Sequence, residues 1–315
     1  MELISRDELL ALKQRNNLTA VTHLTLRLLF HVIFVMASMY LVNSGSVIWG
    51  LLVLAPHCAA MAFLGWAGIG HELFHNSVFT SRRVNTFFFR LFSVLTWNNY
   101  AYFQISHPYH HRHTLEKDDA EGEKHPSISL LGILWLLTFD APGFFRRLRI
   151  LSVNALGTVP GGRAGASMFP EGSRQKAELV AGARTVLLVQ GLLFLTFAML
   201  GLYWLILAVN MAPFCVTFFN RMLAISQHYD LRSQGPRDFL NSCRTVKLGP
   251  VFEFFYASMN YHVEHHMYPG VPYYNLGKLS LLMKSRAPYP NLTYGYYSTL
   301  RELSTRGLFG KWGLN

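Results

Sequence analysis

"LLFHVIFVMASMYLVNSGSVIWGLLVLAPHCAAMAFLGWAGIG", residues 28–70, contains no Asp, Glu, Lys or Arg. Crossing the hydrocarbon core of a bilayer takes about 20 consecutive apolar residues. The stretch therefore fits two crossings, with a tight turn at the small, polar tetrad Asn43–Ser46. A second uncharged stretch, residues 185–220, fits two slightly shorter crossings with a turn near Gly201. The spacing predicts two helical hairpins and four transmembrane helices.

Composition agrees. The chain is 51% hydrophobic and 14% charged, against roughly 25% charged in soluble domains. Its net charge is +11, and the cations avoid the hairpin tips. Of 28 Lys and Arg, four lie at or before Arg27, thirteen between Arg82 and Arg184, and eleven from Arg221 onward. The positive-inside rule places the N-terminus, the middle segment and the C-terminus in the cytoplasm. Cations so placed face anionic lipid or an acidic protein and give no nucleic-acid reading. The polar start "RDELLALKQR" (Arg6–Arg15) has no signal-peptide character, so the first apolar run stays as an anchor. Cys58, Cys215 and Cys243 form no CxxC or paired pattern, which argues against disulfides and a thiolate metal site.

The expected organisation is an amphipathic cytoplasmic segment 1–27, a membrane domain 28–290 and a cytoplasmic tail 291–315. The membrane domain comprises hairpins 28–70 and 185–220 and cytoplasmic segments 71–184 and 221–290. The apolar stretches Asn85–Trp97 and Ile128–Phe139 are too short to span and read as helices at the interface. "GTVPGGRAGA" (Gly157–Ala166) reads as a loop, "EKDDAEGEKH" (Glu116–His125) as a solvated loop, and "YPGVPYYNL" (Tyr268–Leu276) as a rigid aromatic turn. The fold class is all-α integral membrane, with a cytoplasmic helical cap.

The cap carries the chemistry. Fourteen histidines cluster as "HELFH" (His71, His75), "HPYHH" (His107, His110, His111) and "HVEHH" (His262, His265, His266), with His228 alone in "SQHYD". A helix turns about 100° per residue. HxxxH thus places two imidazoles about 40° apart, and HxxHH gathers three within an arc of about 100°. Ser106 is a candidate N-cap that would put Pro108 in a tolerant first turn. One zinc takes about four ligands, so nine imidazoles imply two metals; neutral imidazole suits iron as well as zinc, and the combination points to a dinuclear non-haem site, with iron the favoured metal. His113 falls off the shared face, as a supporting or interfacial residue. His31 and His57 lie inside spans and bond within the bundle, and His23 and His125 read as interfacial or loop residues. Glu72, Asp230 and Glu264 stand beside candidate ligands and could accept imidazole N–H bonds. A zinc-dependent membrane lipid hydrolase would leave five imidazoles unexplained, and a metal transporter would carry its ligands within the spans.

"HELFH", "HPYHH" and "NYHVEHHMYPGVPYYNL" resemble the three histidine boxes of the membrane fatty acid desaturase superfamily. The resemblance covers residues 28–290 in order and topology. It implies four spans, a cytoplasmic site with two iron ions (Fe2+), and O2 activation by electrons from a separate ferredoxin or cytochrome b5-type donor. It implies that the eight box histidines are iron ligands and that His228 is the ninth. It also brings in a water-holding asparagine, for which Asn220 and Asn260 are candidates. The basic face suits an acidic electron donor. The implied activity is fatty acyl desaturation, with hydroxylation or ketolation of a lipid, carotenoid or alkane as the alternative.

Overall fold

The computed structural model describes residues 3–116, 119, 121, 127–159, 162–287 and 289–309, and it is mostly helical. In chain order the helices are α1 (Arg6–Leu12), α2 (Asn17–Asn43), α3 (Val47–Met61), α4 (Ile69–Phe74), α5 (Arg82–Leu95) and α6 (Tyr100–Arg112). Next come α7 (Leu130–Leu137), α8 (Ala141–Ala155), α9 (Gly162–Met168), α10 (Arg174–Met199), α11 (Tyr203–Phe214) and α12 (Phe218–Ser226). The remainder is α13 (Phe239–Ser242), strand β1 (Thr245–Lys247), α14 (Pro250–Phe255), α15 (His262–Met267), α16 (Tyr273–Lys284), strand β2 (Leu292–Tyr294) and α17 (Tyr296–Thr305). β1 and β2 pair in parallel, Val246 opposite Thr293.

Three helices are long and apolar enough to cross a membrane: Asn17–Asn43, Val47–Phe74 and Arg174–Met199. Their outer faces expose large apolar side chains, among them Val32, Ile33 and Met36 on α2 and Leu188, Leu192 and Leu195 on α10. A soluble protein does not present apolar surface on this scale. The first span starts at Asn17, well before the uncharged run. Arg27 sits inside it because its charge is satisfied in place. Its guanidinium donates to the His23 carbonyl at 3.1 Å and to the Phe254 carbonyl, and lies 4.1 Å over the Phe254 ring. Gly45, at φ +82, turns the chain between α2 and α3. A Cβ on Gly50 would lie 2.4 Å from Val42 Cγ2, so the two helices pack at glycine distance.

The second hairpin is uneven. α10 begins eleven residues before the uncharged run, and Gly201, at φ +70, makes the turn. α11 is only a short apolar helix. It is widened into a π-helix over Ile206–Met211, which leaves carbonyls without the usual partner. Side chains of neighbouring segments serve them. His57 Nε2–H donates to the Ala208 carbonyl at 2.7 Å and Trp97 Nε1–H to that of Asn210 at 2.8 Å. His57 also meets His31 ring to ring, at 3.0 Å between Nδ1 atoms.

Several local expectations need correction. Gly162–Met168, which overlaps the second half of the expected loop 157–166, is the short helix α9. The aromatic turn ends at Pro272, and Tyr273–Leu276 is already the first turn of α16. α6 starts at Tyr100, capped by the Asn99 side chain, so Ser106 is not its cap and Pro108 stands inside the helix. His23 lies within α2, its Nδ1 3.0 Å from the Tyr273 hydroxyl. His125 lies outside the described residues.

Candidate dimetal site

Four segments bring the histidines together at one end of the long helices. α4 carries His71, with His75 at its C-cap. α6 carries His107, His110 and His111, α15 carries His262, His265 and His266, and the turn after α12 carries His228. Their ring nitrogens form two groups. His71, His75, His107, His111 and His265 make one, and His110, His228, His262 and His266 make the other, with one nitrogen of each ring within 4.8 Å of its fellows.

The HxxHH boxes are divided between the groups. On α6 the i, i+4 pair His107 and His111 enters the five-ring group, while His110 at i+3 enters the four-ring group. α15 does the reverse, giving His262 and His266 to the four-ring group and His265 to the five-ring group. Helix geometry explains the split: i and i+4 lie about 40° apart, whereas i+3 lies about 60° to the other side of i. Each box thus reaches two centres and ties them together.

The outward edges of the rings fix which nitrogen faces in. His71 Nδ1–H donates to the Trp66 carbonyl at 3.0 Å and His228 Nδ1–H to that of Ser242 at 2.8 Å. His107 Nδ1 lies 2.9 Å from Glu121 Oε2, and His110 Nδ1 lies 3.0 and 2.9 Å from the two oxygens of Asp119. A neutral imidazole that donates through Nδ1 offers a lone pair at Nε2. The inward Nε2 atoms stand close. The separations are 3.1 Å for His71–His265, 3.0 Å for His75–His107 and 2.9 Å for His107–His111. In the other group His228–His262 is 2.9 Å and His262–His266 is 3.0 Å. Metal–imidazole bonds of about 2.0–2.1 Å put adjacent nitrogens on one ion about 3 Å apart. The spacing fits a cation in each group, and a cation resolves the repulsion among the converging lone pairs.

Electrostatics agree. Burial, helped by neighbouring rings, holds His75, His107, His111, His262 and His266 well below the usual imidazole range, and lowers His265 to about 3. These rings are neutral at pH 7, the form that binds metal. His110 goes the other way. Burial lowers it, but the hydrogen bond to Asp119 and the charges of Glu121 and Asp119 outweigh that.

The expected supporting residues scatter. Glu72 is buried, with Oε1 2.9 Å from His265 Nδ1, off the line of an ideal hydrogen bond, and Oε2 accepting from Ser77 at 2.9 Å. Glu264 is buried but accepts from Thr245 Oγ1 at 2.6 Å. Asp230 is exposed and pairs with Arg306 at 3.1 Å, turned away by its left-handed φ of 54°. His113 caps α6 and pairs with Glu116 at 2.8 Å, outside both groups. Asn260 Nδ2 donates to the Val246 carbonyl at 2.8 Å, and Asn220 lines a separate cavity. Asp119 and Glu121 are corrections to the solvated-loop reading: the described part of that segment folds back onto α6. Sequence reasoning missed both. The available signal was an acidic run directly following a histidine box.

The sequence profile of the family described as fatty acid desaturase matches residues 46–298, and the chain belongs to this family. Comparison with curated proteins gives no match.

Proposed function

We propose that this member of the fatty acid desaturase family is an O2-dependent, lipid-modifying oxidoreductase, a fatty acyl desaturase that holds two iron ions. The observation that carries the reading is the convergence of nine imidazoles, seven buried and two (His75 and His111) half-buried, into a group of five and a group of four. In this reading His71, His75, His107, His111 and His265 hold one Fe2+, and His110, His228, His262 and His266 hold the other. Iron so bound supplies the activation of O2, with two electrons from outside the chain, that removes hydrogen from an unactivated C–H bond. The balance is one O2, two electrons, two protons and the two hydrogens of a saturated C–C unit in, and one C=C bond and two waters out.

The chain's own residues do the rest. The Trp66 and Ser242 carbonyls, Asp119 and Glu121 hold four rings in the metal-binding tautomer. Burial of the rings keeps bulk water from the reacting carbon. α11 completes a fourth, thin pass, which puts the N-terminus, the C-terminus and the histidine-bearing end on the cytoplasmic side, as the distribution of cations favours. Electrons arrive from a separate acidic carrier, a ferredoxin or a cytochrome b5-type protein, drawn by the basic face.

The test is to express the chain with a ferredoxin system, measure bound iron and zinc, and profile host lipids by mass spectrometry. Two irons per chain and products two hydrogens lighter are expected. A gain of one oxygen instead assigns hydroxylation. Stoichiometric zinc with O2-independent turnover refutes the oxidase reading and points to a hydrolase.

A further inference from the structure

α5 buries one face and leaves the other on the surface. Phe89 and Phe92 are buried, and the Phe89 ring packs on Phe74 at 5.6 Å and on Phe103 at 6.1 Å. Phe103 in turn stacks on His107 at 4.3 Å. The opposite face lines a groove of about 820 Å³ against α10, a volume within the usual range of ligand sites. Arg83, Phe87, Arg90, Leu91 and Val94 fall at i, i+4, i+7, i+8 and i+11, so they form one stripe along the helix. Arg82 flanks the stripe, and Thr185 and Val189 of α10 form the far wall. Gln190 Nε2 donates to the Val94 carbonyl at 2.8 Å and holds the two walls together. The groove is graded. Its cations are Arg82, Arg83 and Arg90, and its last helical turn offers Leu91 and Val94, with Val189 across the gap. No Asp or Glu among the described residues lines it, and none of the three guanidinium groups forms an ion pair among the described residues. Arg90 lies 5.3 Å over the Tyr100 ring, a contact that positions its charge without neutralising it.

We propose that this groove binds one anionic phospholipid, its phosphate among Arg82, Arg83 and Arg90 and an acyl chain along Leu91, Val94 and Val189. Place and charge choose the occupant. α10 is long and apolar enough to cross a membrane, and its Leu188 and Leu192 are exposed beside the groove wall, so lipid is the surrounding medium. Phe87, 61% exposed between the cations, adds apolar surface that water would otherwise cover. Guanidinium groups match phosphate oxygens in pairs and stay charged at any working pH. A zwitterionic lipid brings a cation of its own back to three that already repel one another, whereas an anionic lipid does not. A second copy of this chain, at net charge +11, would bring more positive charge to the same place. The bound lipid covers the outer face of the helix whose inner face supports the rings behind His107. The inference does not rest on the iron reading, because none of the lining residues belongs to either histidine group.

The test uses the full chain in a non-ionic detergent and native mass spectrometry, which counts the lipids held by each chain. Dioleoyl phosphatidylglycerol and dioleoyl phosphatidylcholine are titrated separately. A single saturable phosphatidylglycerol adduct is expected, bound about tenfold or more tightly than phosphatidylcholine. Arg83→Gln and Arg90→Gln should each weaken it about fivefold, the attraction of one cation. Thr86→Glu keeps every arginine, puts a negative charge into the groove, and should weaken it at least as much. Arg301→Gln, at an exposed position of α17, should leave it unchanged. Equal binding of the two lipids, absence of saturation, or unchanged affinity in all three groove variants overturns the proposal. So does an equal loss in Arg301→Gln, which would show attraction to the basic surface at large. A chain dimer that Thr86→Glu dissolves places a second copy in the groove and also overturns it. Binding is read without turnover or metal, so failure here leaves the iron reading standing.

Discussion

Replacing Asp119 tests whether the acidic segment after α6 belongs to the site. The side chain is fully buried, and it makes four contacts. Its oxygens lie 3.0 and 2.9 Å from His110 Nδ1 and accept the N–H groups of Leu115 at 2.8 Å and Glu121 at 3.0 Å. Burial opposes its charge, but the hydrogen bond from His110 and those from the two backbone groups hold its carboxyl below the usual range. Carboxylates that orient a metal-binding imidazole are typically worth 10- to 100-fold in metal affinity, about 1.4–2.7 kcal/mol. Asp119→Asn keeps one acceptor oxygen and turns a donor toward groups that are themselves donors, so its loss should sit near tenfold. Asp119→Ala removes both oxygens and should approach a hundredfold. The assay is anaerobic competition for Fe2+ with a chromogenic chelator, read as the chelator concentration that removes half the metal. The four-ring group should lose its ion first, leaving about one metal per chain at intermediate chelator. Midpoints of both variants within twofold of wild type would refute the claim that this segment supports His110.

Other consequences are as direct. His113→Ala should retain wild-type metal content, while His107→Ala, His110→Ala and His111→Ala lose metal, because only His113 stands outside both groups; elemental analysis decides it. Gly182→Ala should lower the melting temperature, since its Cβ would sit 2.4 Å from Asn99 Oδ1, the cap of α6. Overpacking of this kind costs roughly 1–3 kcal/mol, and an unchanged melting temperature in detergent would contradict it. Glu8 is held at about 2, chiefly by its hydrogen bond to Arg286. A depressed acid contributes fully above its ordinary value of 4.5 and loses that contribution as pH falls toward 2. Hydrogen exchange should therefore show α1 losing protection across that window, and Glu8→Gln should abolish the dependence.

The hairpins were legible because lipid imposes a rule that composition alone can express: no unpaired charge over about 20 residues. The rule overreached where a charge is paired. Arg27 reads as a boundary in sequence, but stacking on Phe254 and two carbonyl acceptors keep it inside α2. α11 was hard for the opposite reason. Its apolar run is ordinary, and only the donors His57 and Trp97, distant in sequence, explain how a widened turn is accommodated. In the site, the nine histidines singled out by spacing and resemblance are the nine that meet. The partition between groups was not visible, because 100° per residue puts three rings on one arc without saying that two centres flank it. The orienting acceptors were illegible for a plainer reason. The Trp66 and Ser242 carbonyls are backbone atoms, and Asp119 reaches His110 only because the chain folds back after Leu115, at φ +62.

The two groups are built unequally, and the inequality has a measurable consequence. The five-ring group has two carboxylates within reach of its outer edges, Glu121 at His107 and Glu72 at His265, each at 2.9 Å. Among the described residues the four-ring group has one, Asp119 at His110, while Nδ1 of His262 in this group and Nδ1 of His111 in the other are buried without a hydrogen-bond partner. Each added imidazole contributes affinity, and each carboxylate behind a ring raises its basicity. The five-ring ion should therefore be held more tightly and leave more slowly. Anaerobic removal of Fe2+ by excess chelator should follow two phases of equal amplitude. His262→Ala should eliminate the fast phase, and His75→Ala the slow one. A single phase in the wild-type protein would contradict the asymmetry, because equal sites release equally whatever the chelator.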